Sequence, residues 1–273
     1  MNEFEFLRYL TIGQYIPTGS ILHRLDARIR LLAAVIILGA ITFAVHPAGL
    51  GIGLAIILIG FLVARIPISY GLRGMLAPLP FLAFLAILQV FFNPHAVASP
   101  LLLSWGIVHI TVSDLWAGGM LMIRFMALIM GITLFSAVTS ATEIINGLEG
   151  LLSPLNRLGI PVQDFVLMVQ VTLHFIPFLA QAAERIAKAQ ASRGADWGTH
   201  SGGLFQRVRQ VLPLIVPLFL TSLRRAENLA LAMEARGYGS QTRRTSMVVM
   251  SLRLSDGFAL LASAIIGAVV VIY

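Results

Sequence analysis

The chain has 273 residues, of which 58% are hydrophobic and only 11% charged, with a mean hydropathy of +0.89; a soluble globular domain carries about a quarter charged residues, so this composition belongs in a bilayer. The formal charge is +7, and 18 of the 19 basic residues are Arg, most near the ends of apolar segments, where they face phospholipid headgroups or cytoplasmic partners and not nucleic acid. There is no cysteine, which excludes disulfides, thiolate nucleophiles and Cys-ligated metals.

The first residues, Met1 to Leu10, carry Glu3 and Glu5 among apolar side chains and lack a basic region followed by an apolar core, so no signal peptide is expected to be removed. Apolar segments of roughly bilayer length, about 20 residues or somewhat fewer, then run Leu31 to Val45, Ala48 to Ala64, Leu76 to Phe92, Leu115 to Val138 and Phe258 to Ile272. They predict five spans, the first two joined by a turn at His46-Pro47. Arg24, Arg28 and Arg30 precede the first span and Arg65 and Arg73 follow the second, whereas no Lys or Arg occurs from Gly74 to Ile123. By the positive-inside rule the N-terminus and the 65–75 loop are expected in the cytoplasm of a cell-membrane protein, and Asn93 to Asp114 outside. The alternation Ile107-Val108-His109-Ile110-Thr111-Val112 after Ser104-Trp105-Gly106 predicts a small extended or hairpin element in that loop.

From Thr139 to Arg253 unbroken apolar runs give way to helical amphipathicity and many Arg residues, which predicts a cytoplasmic helical region. Its first helix opens with the capping box Ser140-x-x-Glu143, gathers Ile144, Ile145, Leu148, Leu151, Leu152, Leu155 and Leu158 on one face, and ends at Gly159 and Pro161. Two longer helices are predicted over Gln163 to Ser192 and Leu204 to Arg236, with Pro177, Pro213 and Pro217 as expected kinks. At about 1.5 Å per residue each exceeds a hydrocarbon core and should slope through the interface. The fold class is thus an all-α integral membrane protein with about five spans and three amphipathic helices, two of them long and crossing. The domain boundaries are 1–138 for four spans, 139–253 for the amphipathic region and 254–273 for the last span.

The two long helices share an internal repeat. Ala183-Glu184-Arg185-Ile186-Ala187-Lys188-Ala189-Gln190-Ala191-Ser192-Arg193-Gly194 aligns with Ala226-Glu227-Asn228-Leu229-Ala230-Leu231-Ala232-Met233-Glu234-Ala235-Arg236-Gly237. Gly just past a helix end takes the left-handed cap conformation, so Arg193 and Arg236 fall in the last turn with their guanidinium groups beyond the tip. An Arg in that place complements the helix dipole, worth a few tenths to about 1 kcal/mol. Two copies with one lead-in call for more than dipole compensation. The small-residue rows Ala180, Ala183, Ala187, Ala191 and Ala226, Ala230 would let the helices cross closely.

These paired motifs resemble the paired Ala-Arg-Gly motifs of energy-coupling-factor T components. Similar stretches include Gly13-Gln14-Tyr15-Ile16-Pro17, His23-Arg24-Leu25-Asp26-Ala27-Arg28, Phe175-Ile176-Pro177 and Ala232-Met233-Glu234-Ala235-Arg236-Gly237-Tyr238, and the similarity covers nearly the whole chain. The resemblance implies a transmembrane coupling subunit of a vitamin or micronutrient importer. Ala191, Ser192, Arg193 and Gly194, with Ala235, Arg236 and Gly237, would dock in grooves of two cytoplasmic ATPases, supported by Glu184, Glu227, Ala187 and Ala230. Ser192 stands where the family usually has Ala. A membrane-embedded, substrate-binding S component would rest on apolar faces that include Met168, Phe178, Leu218 and Phe219. Arg124, a cation inside the fourth span, is expected to face protein or to contact the S component.

No chemistry of the chain's own is expected. Its only lysine, Lys188, follows Ala187, so there is no phosphate-binding loop, and ATP and Mg would be bound by the partner subunits. There is no His-Glu-x-x-His, no Gly-x-Ser-x-Gly and no acidic pair within a span, so no catalytic residue is assigned. The six histidines show no metal-ligand spacing, and no metal or other cofactor is expected. The competing readings are a conventional ABC importer permease, which needs only one coupling motif, and an intramembrane enzyme, which needs polar residues clustered at the midplane.

Overall fold

A computed structural model describes residues 15–92, 101–105, 108–159, 161–194, 204–239 and 252–273. Their helices are α1 (Ile21–Arg24), α2 (Ala27–Phe43), α3 (Pro47–Ala64), α4 (Ile68–Leu76), α5 (Leu79–Phe92), α6 (Val112–Val138), α7 (Ala141–Leu152), α8 (Val162–Ser192), α9 (Leu204–Ala235) and α10 (Leu254–Ile272). Strands β1 (Leu101–Trp105) and β2 (Val108–Thr111) pair antiparallel, with Trp105 opposite Val108 and Leu103 opposite Ile110. This is the hairpin expected before the fourth span. The helices fall into two compact units, α1–α7 with α10, and α8 with α9.

In the larger unit α2, α3, α6 and α10 bury a core that includes Ile41, Leu50, Ile57, Phe61, Met130 and Val270. Among the described residues, α3, α6, α8 and α10 are each long and apolar enough to cross a membrane, and the bent pair α4–α5 makes a fifth candidate. The expected third span is therefore not one straight helix. Its axis turns by 67° between α4 and α5, at Pro78, whose ring cannot continue the preceding helix. The expected first span is α2, whose 17 residues span about 25 Å. Helix α8 was expected only to slope through the interface, yet its apolar content would let it cross.

Helix ends are fixed by capping groups. Asp114 of α6 accepts from the Thr111 backbone N–H at 2.9 Å, and Glu143 of α7 accepts from that of Ser140 at 2.9 Å while the Ser140 hydroxyl accepts from Glu143 N–H, completing the anticipated capping box. Asp256, 1% exposed, accepts from Arg253 N–H in front of α10 and from Asp26 N–H in front of α2. One carboxylate thus ties two helix starts, and α10 runs parallel to α2. At the far end Gly49 lies so close to α10 that a Cβ would clash with the Val270 carbonyl, the close approach that small residues permit between membrane helices.

These contacts sort the bundle's ends. Ile16 N–H donates to Ala137 O, Thr18 to Ala64 O and Arg30 to Val138 O, so the starts of α2 and α10 and the ends of α3 and α6 share one face. The His46 turn and Tyr273 share the other. Helix α7, amphipathic as expected, packs on α2, with Gly147 against Leu31 and the Ala27 backbone. The compact units therefore divide the chain near residue 159 and not at 139, and α10 joins the bundle instead of standing apart.

Candidate functional site

The repeat builds two similar helix tips. Helix α8 ends at Ser192, with Arg193 as its C-cap and Gly194 at φ +82°, where Gly194 N–H donates to Ala191 O at 3.0 Å. Helix α9 ends at Ala235, and Arg236 is followed by Gly237 at φ +78°. Gly237 N–H donates to Glu234 O at 2.8 Å and Tyr238 N–H to Met233 O at 2.9 Å, the paired bonds of a Schellman cap. Only glycine takes this conformation without a Cβ penalty, so each Gly turns the chain away and leaves its Arg at the helix end. Both guanidinium-bearing residues are exposed.

The departure at Ser192 is absorbed within the helix, because its hydroxyl donates to Lys188 O at 2.9 Å. Lys188 also pairs with Glu184, one turn back. Ser192 therefore spends its donor on the backbone and adds little to the tip beyond the bulk of one oxygen.

Helices α8 and α9 pack lengthwise and antiparallel. The Tyr238 hydroxyl donates to Asp164 Oδ1 at 3.2 Å, the Arg225 guanidinium lies 4.0 Å from the Phe178 ring centroid, and Gln190 donates to Pro213 O at 3.4 Å. As α8 advances from 164 through 178 to 190, its partner on α9 retreats from 238 through 225 to 213. A wide crossing would bring together only the middle of the pair. The alanine rows do not both form the contact: Ala180 and Ala187 are buried, but Ala226 and Ala230 are exposed. On α9 the contact falls instead to larger side chains, and Thr221, Arg225 and Leu229 line a cleft with His174 and Phe178. Antiparallel packing sets the two Arg tips at opposite ends of the pair, about 40 Å apart along the axes.

Of the apolar residues singled out on these helices, Met168 and Phe219 are 64% and 62% exposed, while Phe178 and Leu218 are half-buried. Glu227 is exposed. Arg124 has a different setting. It donates through Nη2 to the Ala44 carbonyl at the end of α2, a backbone acceptor that α2 itself leaves unsatisfied. Arg30 does the reciprocal service, donating to the Val138 carbonyl at the end of α6 at 2.8 Å. Antiparallel α2 and α6 thus each carry an Arg that caps the other. Arg124 acts first as a structural cap.

Arg30 was grouped in the sequence with the other basic residues before the first span. It is 6% exposed and also forks onto Glu143, at 2.9 and 3.3 Å. Burial alone would raise the Glu143 pKa, but hydrogen bonds from Arg30 and Ser140 and the Arg30 charge outweigh it, holding the carboxyl below its ordinary 4.5. The capping box made Glu143 visible in the sequence; nothing in the sequence pointed to Arg30 as its partner. Among the described residues no group of three His, Asp or Glu could hold a metal ion.

A polytopic helical bundle joined in one chain to a helix pair with an Arg-Gly cap at either end defines a membrane transport subunit, not a soluble module. The sequence pattern of the family described as "Cobalt transport protein", CbiQ, matches residues 18–247. The chain is 40% identical over 249 residues to the energy-coupling factor transporter transmembrane protein EcfT of Heliobacterium modesticaldum, covering 90% of this chain and 91% of that one. It is 34% identical over 260 residues to the EcfT of Thermosediminibacter oceani, covering 95% and 96%, and 35% identical over 258 residues to that of Streptococcus equi, covering 94% of each. The chain belongs to this family, as the multi-pass EcfT component of an energy-coupling factor transporter.

Proposed function

We propose that the chain is the non-catalytic coupling subunit of a vitamin or micronutrient importer, in which two cytoplasmic ABC ATPases bind ATP and Mg while Arg193 and Arg236 each dock one of them. The ATPases' motion passes along α8 and α9 to a membrane-embedded S component, which rests on the apolar surface containing Met168, Phe178, Leu218 and Phe219 and selects the substrate. The N-terminus lies in the cytoplasm, and the chain carries no cofactor of its own. What supports this reading is the pair of exposed, Gly-capped Arg residues at opposite ends of one antiparallel helix pair. Two like tips about 40 Å apart suit two like partners, whereas a conventional permease needs a single coupling loop.

Docking would desolvate each guanidinium and pair it in a groove. Losing half of such a contact costs about 2–5 kcal/mol, and reversing its charge costs more. Arg193→Glu and Arg236→Glu are each expected to weaken co-purification of the ATPases, and the double variant to abolish uptake while still inserting and eluting as a folded chain. Lys at either position should restore binding only in part, because an ammonium cannot reproduce the planar fork. Full uptake by the well-folded double variant would refute the coupling role.

A further inference from the structure

Between α2, α3 and α6 lies a cavity of about 310 Å³, at the small end of the roughly 300–1,000 Å³ of ligand pockets. Its walls are aliphatic and aromatic, including Ile37, Ile57, Leu134 and Phe135, and Ala33 and Ala34 contribute only methyl groups where larger side chains would fill the space. Ile59 and Val63 line it while being 56% and 40% exposed, so it opens sideways from the bundle at α3. The polar members of the lining are Arg30 and Thr139, where α2 begins and α6 has just ended. They are 6% and 3% exposed, and Arg30 Nε and the Thr139 hydroxyl have no hydrogen-bond partner.

Water cannot fill so apolar a lumen, because each molecule needs two to four polar partners. The surrounding medium of a membrane bundle is hydrocarbon, in which an unpaired donor is costly. Arg30 and Glu143 neutralise each other, so the polar end offers two donors without net charge. That suits an ester carbonyl, with its two lone pairs, better than a carboxylate or a phosphate. The structure assigns this cavity to one acyl chain of a bilayer phospholipid, entering past Ile59 and Val63, with its ester carbonyl accepting hydrogen bonds from Arg30 Nε and the Thr139 hydroxyl. The assignment does not depend on the ATPase-coupling reading.

The test uses the full chain in phosphatidylcholine vesicles that contain a trace of phosphatidylcholine with a diazirine in one acyl chain. After irradiation, labelled peptides are mapped by mass spectrometry. Labelling is expected to be enriched at residues 56–63 and 131–135 relative to the exposed face of Phe81 and Phe84. Ala34→Phe, which puts a ring into the lumen, should remove most of that enrichment and leave labelling near Phe81 unchanged. Thr139→Val keeps the shape and removes one donor, and should lower the enrichment about fivefold. The same result is expected in phosphatidylglycerol vesicles probed with the corresponding lipid, because the contact is to the ester and not the headgroup. If Ala34→Phe fails to fold, Thr139→Val carries the test alone. Even labelling of cavity wall and outer faces, enrichment that Thr139→Val leaves unmoved, or enrichment with only one headgroup overturns the assignment.

Discussion

Arg30 and Glu143 join three helices through one ion pair: Arg30 belongs to α2, caps α6 and binds α7. Glu143→Gln would leave a buried guanidinium with its Val138 contact and a weaker neutral acceptor. We expect a loss of about 1–3 kcal/mol at neutral pH, read as a lower Tm of the detergent-solubilised chain. The pH dependence follows from the depressed carboxyl. A group whose folded pKa lies below its unfolded value stabilises the fold above the unfolded pKa, and the contribution is lost as pH falls through the folded one. The pair should therefore contribute fully from neutrality down to about pH 5 and progressively less below the ordinary 4.5. In Glu143→Gln that acid-dependent part of the Tm loss should vanish; an unchanged acid limb would show that other carboxylates govern it.

Helix α8 and helix α9 make contacts that repeat in step along most of their length, which predicts a simple cross-linking pattern in a chain without cysteine. Cysteine pairs at Asp164 with Tyr238 and at Gln190 with Pro213 should both be bridged by a short bismaleimide. Bridging of neither end, with efficient bridging at Phe178 and Arg225, would mean a wide crossing. The repeat and both Gly caps could be read from the sequence because helix termination is a local matter of φ and of hydrogen bonds within one turn. The exposure of Ala226 and Ala230 could not, since small residues permit a close approach without dictating which helix face makes it.

Across the whole molecule, the shared ends of the bundle make topology testable. The His46 turn and Tyr273 lie on one face, and Pro67 lies on the other, beside Ala64. With the N-terminus in the cytoplasm, single cysteines at His46 and Tyr273 should react with an impermeant maleimide in intact cells, and a cysteine at Pro67 only after permeabilisation. Labelling at Pro67 from outside would invert the orientation. The expected span positions recovered α3, α6 and α10 to within a few residues, because about 20 apolar residues in a row is a requirement the bilayer itself imposes. The bend between α4 and α5 was hidden inside such a run, since Pro78 is as apolar as its neighbours.

The sequence by itself determined that this chain lives in a membrane, where its principal helices begin and end, and that two of them finish in the same Arg-Gly cap. Each of these follows from composition or from hydrogen bonds closed within a few residues. Only the tertiary structure decided that α7 joins the bundle, that Arg30 and Arg124 cap each other's helices, that the two Arg tips lie at opposite ends of an antiparallel pair, and that a cavity is left beside Ala33 and Ala34. Those features depend on which helix faces meet, and in a bilayer, where lipid is as apolar as any helix surface, close packing and a few buried polar contacts choose the faces and hydrophobic pattern does not.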